Sequence, residues 1–89
     1  MREAVFTSQF KRDYKKRSRD SGMDDLFSGV IDRLMRGDPL PPKFRDHMLK
    51  GGFTGCRECH LKPDLLLIYV QTERELRLIR LGSHSDLFA

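Results

Sequence analysis

Three histidines, His47, His60 and His84, fall in the second half of an 89-residue chain together with Asp64, Arg80 and Phe88, strung between short apolar runs. Imidazole titrates near neutral pH and can give or take a proton, a carboxylate can accept one, and a guanidinium is a fixed cation. Metal-free cleavage of RNA draws on that inventory. It needs a base for the 2′-hydroxyl, a cation for the crowded phosphorane and an acid for the departing 5′ oxygen. Asp64 or a histidine fits the first role, Arg80 the second and His84 the third. A non-catalytic basic binding module accounts for the same residues, and the two readings stand side by side at this level.

Other chemistries fit less well. Cys56-Arg57-Glu58-Cys59-His60 matches C-x-x-C-H, the attachment pattern of c-type haem. It lies late in the chain on an apparent strand, and every methionine precedes residue 49, so no downstream methionine could supply a distal ligand. Zinc held by Cys56, Cys59 and His60 with His84 or His47 would need a second knuckle, which the chain lacks, and the two cysteines would face opposite sides of a strand. Neither haem nor a metal is expected, and the cysteines read as small residues filling a sheet. There is no G-x-S-x-G elbow and no glycine-rich phosphate loop.

Elements must bring these distant residues together. Ala4-Val5-Phe6-Thr7 reads as an edge or joining strand, followed by a helix from Ser8, taken as the N-cap, to about Arg19 with only Phe10 and Tyr14 on its apolar stripe. Leu26, Phe27, Val30, Ile31, Leu34 and Met35 recur at helical spacing and mark a core helix from about Met23 to Arg36, which Gly37 ends and the prolines beyond prevent from continuing. Three strands follow, Cys56 to Leu61, Leu65 to Thr72 and Glu75 to Leu81. The middle one is apolar at both parities, as in a strand covered on both faces. In the last, Arg77, Ile79 and Leu81 alternate with Leu76, Leu78 and Arg80, so an extended chain would carry Arg80 and His84 on one face. Ser85 to Phe88 could form a closing turn. The expected architecture is α+β, β-α-α-β-β-β, a single domain over residues 1–89 with two helices on one face of a small, mostly antiparallel sheet.

Composition bounds the partners. The chain is 38% apolar and 34% charged, with no apolar run near the roughly 18 residues of a membrane span. No secretory signal is visible, and two cysteines only three residues apart suit a reducing cytoplasm, so no membrane partner is expected. Net charge is +4, and seven of the 17 Lys and Arg lie in the first 20 residues against three acids. That balance favours a polyanion, and Lys11, Lys15, Arg19 and Lys50 are candidate contacts to RNA or the ribosome; a solvated basic face is the plainer reading.

The segments Phe44-Arg45-Asp46-His47-Met48-Leu49-Lys50-Gly51, Arg57-Glu58-Cys59-His60-Leu61-Lys62-Pro63-Asp64-Leu65-Leu66-Leu67-Ile68-Tyr69 and Arg80-Leu81-Gly82-Ser83-His84-Ser85-Asp86-Leu87-Phe88 resemble the YafQ branch of the RelE/ParE toxins of type II toxin–antitoxin modules. The resemblance implies a RelE-like fold and a ribosome-dependent, metal-independent endoribonuclease that cleaves mRNA, with a cognate antitoxin as its inhibitor. By motif position the catalytic roles fall on His47, His60, Asp64, Arg80, His84 and Phe88. It casts His84 as general acid, Asp64 as base, Arg80 on the phosphate, His47 and His60 as assistants and Phe88 as a stacking or closing residue. Some relatives have an aromatic where this chain has Leu65, and some have Asp where it has Glu58. The alternative within the superfamily is a non-catalytic ParE-like toxin that inhibits an acidic protein such as gyrase.

Overall fold

The computed structural model describes residues 2–53 and 55–88. Five strands, β1 (Glu3–Phe6), β2 (His47–Met48), β3 (Arg57–Lys62), β4 (Leu65–Gln71) and β5 (Glu75–Gly82), form one sheet in the order β1-β5-β4-β3-β2. β1 pairs parallel to β5 and the other neighbours are antiparallel. Helices α1 (Ser8–Arg17) and α2 (Met23–Arg36) cover one face, and a short α3 (His84–Phe88) lies on the other. The α+β layout expected from the sequence is observed, with one strand more than expected. That strand, β2, carries His47.

β4 is the middle strand and shows why both its parities are apolar. Leu65, Leu67 and Tyr69 enter the core under α1 and α2, whereas Leu66 and Ile68 pack with Leu87 of α3 on the opposite side. All five are buried, each worth about 1.5–3 kcal/mol relative to exposure, so both layers are built on this strand. Leu65 is buried and offers no stacking surface. The Tyr69 hydroxyl donates to Asp46, which also accepts from Arg57 Nη2 at 3.0 Å, and this brace pins the chain immediately before His47.

Local chemistry sets the helix ends, with two departures from expectation. Thr7, not Ser8, caps α1: the Phe10 amide donates to its Oγ1 at 3.0 Å, while its hydroxyl donates to the Ile79 carbonyl at 2.9 Å. The helix ends at Arg17, so Arg19 lies in the turn beyond it. α2 ends as expected. Gly37 adopts φ 79°, and its amide and that of Asp38 reach the Leu34 and Arg33 carbonyls at 3.2 and 2.9 Å.

β5 also departs from simple alternation. Ile68 pairs with Arg80 but Tyr69 pairs with Leu78, so one extra residue bulges from β5. The parity shifts, and Leu81 joins Leu76 and Leu78 in the core under the helices, instead of sharing a face with Arg77 and Ile79. The chain then turns helical at His84, so alternation from Arg80 does not set the direction of His84. Past Phe6, where β1 stops, α1 takes over the edge of β5. Thr7 holds the Ile79 carbonyl, and buried Asp13 accepts the Leu81 amide at 3.0 Å.

Candidate active site

On the sheet face away from α1 and α2, His47, His60, His84, Phe88 and Phe53 form a row. Ring centroids are separated by 6.5 Å (His47–His60), 6.0 Å (His60–His84), 6.1 Å (His84–Phe88) and 5.6 Å (Phe88–Phe53). His47 comes from β2, His60 from β3, and His84 and Phe88 from α3. The β2–β3 pairing sets His47 opposite Glu58, two residues before His60 on the same face of β3.

Each imidazole has one nitrogen committed. His47 Nδ1 lies 2.7 Å from the Arg45 carbonyl, which can only accept, so Nδ1 carries the proton and Nε2 is the exchangeable nitrogen. His60 Nε2 is 3.1 Å from Glu58 Oε1, and His47 Nε2 is 3.8 Å from the same oxygen. His84 Nδ1 lies 2.9 Å from Asp64 Oδ1, and its Nε2 has no hydrogen-bond partner among the described residues. Glu58 is the site residue that the catalytic inventory left out. Its side chain is only 6% exposed and its carboxylate faces two imidazoles, an arrangement that would stabilise the cation formed on either. An acid at alternating spacing before His60 was the available signal; its burial became visible only in the fold.

The Asp64–His84 pair is positioned by the start of α3. Asp64, in the two-residue turn between β3 and β4, accepts from the His84 amide at 3.1 Å as well as from its ring. These two bonds hold the Asp64 carboxyl below its usual range. Ser83 and Asp86 form a reciprocal cap: the Ser83 amide donates to Asp86 Oδ2 and the Asp86 amide to Ser83 Oγ, both at 3.1 Å. Arg17 of α1 reaches the same Asp86 oxygen at 3.1 Å. The Ser83 amide first, and then Arg17, depress the Asp86 carboxyl. Gly82 is needed for this close approach, since a Cβ there would lie 2.9 Å from Asp86 Cβ.

Arg80 is not part of the row. Its Nε and Nη2 donate to Asp13 Oδ2 and Oδ1 at 2.7 and 3.2 Å, leaving Nη1 outside the pair. Burial alone would push the Asp13 carboxyl up, but the Arg80 and Leu81 donors outweigh it and hold it below the usual range. Lys11, Lys15 and Lys50 are exposed, as is Arg19 in its turn, and none of the four is paired with a carboxylate among the described residues. Cys59 is fully buried under the helices with its thiol pushed up to about 12, chiefly by burial, and Cys56 packs on the other side of the sheet. The two thiols do not face a common site. Among the described residues, no group of three or more His, Cys, Asp or Glu is arranged to hold a metal ion, and no helix is long and apolar enough to cross a membrane.

Residues 2–89 match the family described as bacterial toxin of type II toxin–antitoxin system, YafQ. The mRNA interferase toxin YafQ of Escherichia coli K12 is 35% identical over 91 residues, covering 98% of this chain and 96% of the relative. A crystal structure of the E. coli DinJ–YafQ complex contains a chain matching at TM-score 0.89 and 31% identity, over 100% of both chains. A metal-bound toxin from Helicobacter pylori matches at TM-score 0.91 and 44% identity, over 99% of this chain and 100% of that one.

Proposed function

Because the chain belongs to the YafQ family of toxins from type II toxin–antitoxin systems, we propose that it cleaves mRNA on the ribosome in the cytoplasm through the row of histidines, and that an antitoxin protein holds it inactive. The observation that carries this reading is the histidine row itself, in which neighbouring rings about 6 Å apart each have one nitrogen anchored. In the proposed step the 2′-hydroxyl oxygen bonds to phosphorus as the bond from phosphorus to the 5′ oxygen breaks. The hydroxyl proton passes to the His47–His60 pair, where Glu58 offsets the new positive charge. His84 gives its Nε2 proton to the departing 5′ oxygen. Asp64, which the resemblance cast as base, is better suited to holding His84 in orientation and stabilising its cation, because its depressed carboxyl is a weak proton acceptor at neutral pH. Arg80 approaches the phosphate through Nη1 while Asp13 fixes its other two nitrogens. Phe88, backed by Phe53, offers a stacking surface for a base.

Every group in this scheme is a side chain, and the H. pylori relative's metal makes chelation the direct check. Programmed ribosomes incubated with the protein and EDTA, using magnesium just sufficient for ribosome integrity, are expected to yield mRNA fragments ending in a 2′,3′-cyclic phosphate and beginning with a 5′-hydroxyl. Fragments with a 5′-phosphate would rule out attack by the ribose, and a specific need for a transition metal would rule out the metal-independent step. A second expectation concerns docking. Ribosome affinity should fall steeply with salt, and the Lys11→Gln/Lys15→Gln variant should lose about two units of the log–log slope, one per neutralised phosphate contact. An unchanged slope would return those lysines to a solvated surface.

A further inference from the structure

Beside His60, the second ring of the row, lies another concave feature, a cavity of about 370 Å³ with an apolar floor of Leu26, Phe44 and Leu61. Its rim carries Lys43, Arg45 and Lys62, and His60 is a shared wall with the histidine row. Two irregularities shape it. The register of β3 against β4 slips between His60 and Lys62, which bulges the strand at Leu61. Arg45 adopts φ 48° and is the one non-glycine residue with positive φ among the described residues. Its carbonyl holds His47 Nδ1, so a single strained residue orients a histidine of the row and places a cation at the cavity mouth.

The three cations differ from the arginines that are locked in ion pairs with aspartates. Arg17, Arg36, Arg57 and Arg80 are each paired with an aspartate. Lys43, Arg45 and Lys62 have no carboxylate within ion-pair distance among the described residues, and the Lys43 ammonium is instead 5.3 Å from the centre of the Phe44 ring. Unpaired cations around an apolar floor suit a ligand that is flat and apolar at one end and anionic at the other, and the volume is at the small-ligand end of the usual range.

We infer that this cavity holds the nucleotide on the 5′ side of the cleaved phosphate, the one whose 2′-hydroxyl attacks. The direction follows from the row and rests on the proposed nuclease reading. His84 protonates the departing 5′ oxygen, so the downstream nucleotide lies toward Phe88 and Phe53, and the upstream one leaves past His60, where the cavity opens. Its base lies over the floor, its 5′ phosphate meets the rim, and its 3′ phosphate is the one cleaved at the row.

The test uses the Lys43→Gln/Lys62→Gln variant, which touches exposed and half-buried side chains, and His84→Ala, which does not line the cavity. Titrating each labelled protein with nucleoside 3′,5′-bisphosphates, which carry the 5′ phosphate assigned to the rim as well as the 3′ phosphate of the upstream product, should shift the amides of Phe44, Arg45, Leu61 and Lys62 in the wild type and in His84→Ala. The double variant should bind about tenfold more weakly, the order of one lost charge-assisted contact. On programmed ribosomes it should show a KM raised by a similar factor with little change in kcat. If the wild type cleaves but the double variant binds and cleaves equally well, the cavity assignment is overturned and the nuclease reading stands. If the wild type does not cleave at all, the nuclease reading fails, and the titration then decides the cavity on its own. Amide shifts confined to the Phe53–Phe88 end or to the α1 surface would also overturn the assignment.

Discussion

Replacing His84 by alanine is expected to lower mRNA cleavage by about 10²–10⁴-fold, the range for loss of a general acid, with most of the loss in kcat. Stability should barely change. The side chain is 58% exposed, and Asp64 keeps the backbone amide of residue 84 as a donor after the ring is removed. The cap between Ser83 and Asp86 does not involve the imidazole, so the start of α3 should persist. The informative comparison is Asp64→Asn. If Asp64 positions His84 and stabilises its cation, Asn should reduce kcat less than His84→Ala does. If Asp64 is itself the base, Asn should cost as much as the histidine. Toxicity provides the wider control. A His84→Ala protein that still arrests growth while translation continues and DNA supercoiling fails would move the chain to the non-catalytic, gyrase-type reading.

The periodic elements were legible before any coordinates, and the reasons are local. Six apolar residues at helical spacing set α2, Gly37 set its end, and an apolar run of both parities set β4 as the strand covered on both sides. The motif likewise named the three histidines and Phe88, which the fold brings into one row. What stayed hidden depends on contacts distant in sequence. β2 is two residues long and has no period of its own; it exists because β3 offers it an edge. The bulge in β5 leaves no compositional trace, yet it changes the face of Leu81. Thr7 outcompetes Ser8 as a cap because its hydroxyl also bonds Ile79, 72 residues away. Glu58 reads locally as one more strand charge, and only the β2–β3 pairing shows it buried between two imidazoles.

α1 illustrates the same point and carries the second large effect. From its sequence it is a basic helix with a thin apolar stripe, but its buried Asp13 accepts two bonds from Arg80 and one from the Leu81 amide. Asp13→Asn should destabilise the fold by about 2–4 kcal/mol. Arg80 would lose its counter-charge and one good acceptor, and the cost should fall at or below the usual 3–5 for breaking a buried pair because Arg80 is a quarter exposed. The effect should depend on pH in a defined direction. The folded Asp13 carboxyl is held below its usual range, so the unfolded chain binds the proton more readily. Its stabilising contribution is therefore fully present above the unfolded value near 4 and disappears as pH falls through the lower, folded one. Urea unfolding of both proteins should show the gap between them at pH 7 narrowing below about pH 4. Equal midpoints at neutral pH would mean that desolvation of the pair cancels its attraction. Because Arg80 is held by this carboxylate on one side and proposed to meet the phosphate on the other, the same substitution should lower kcat even where the protein remains folded. Asp13→Glu, which keeps the charge but alters its reach, should restore more of the stability than of the rate.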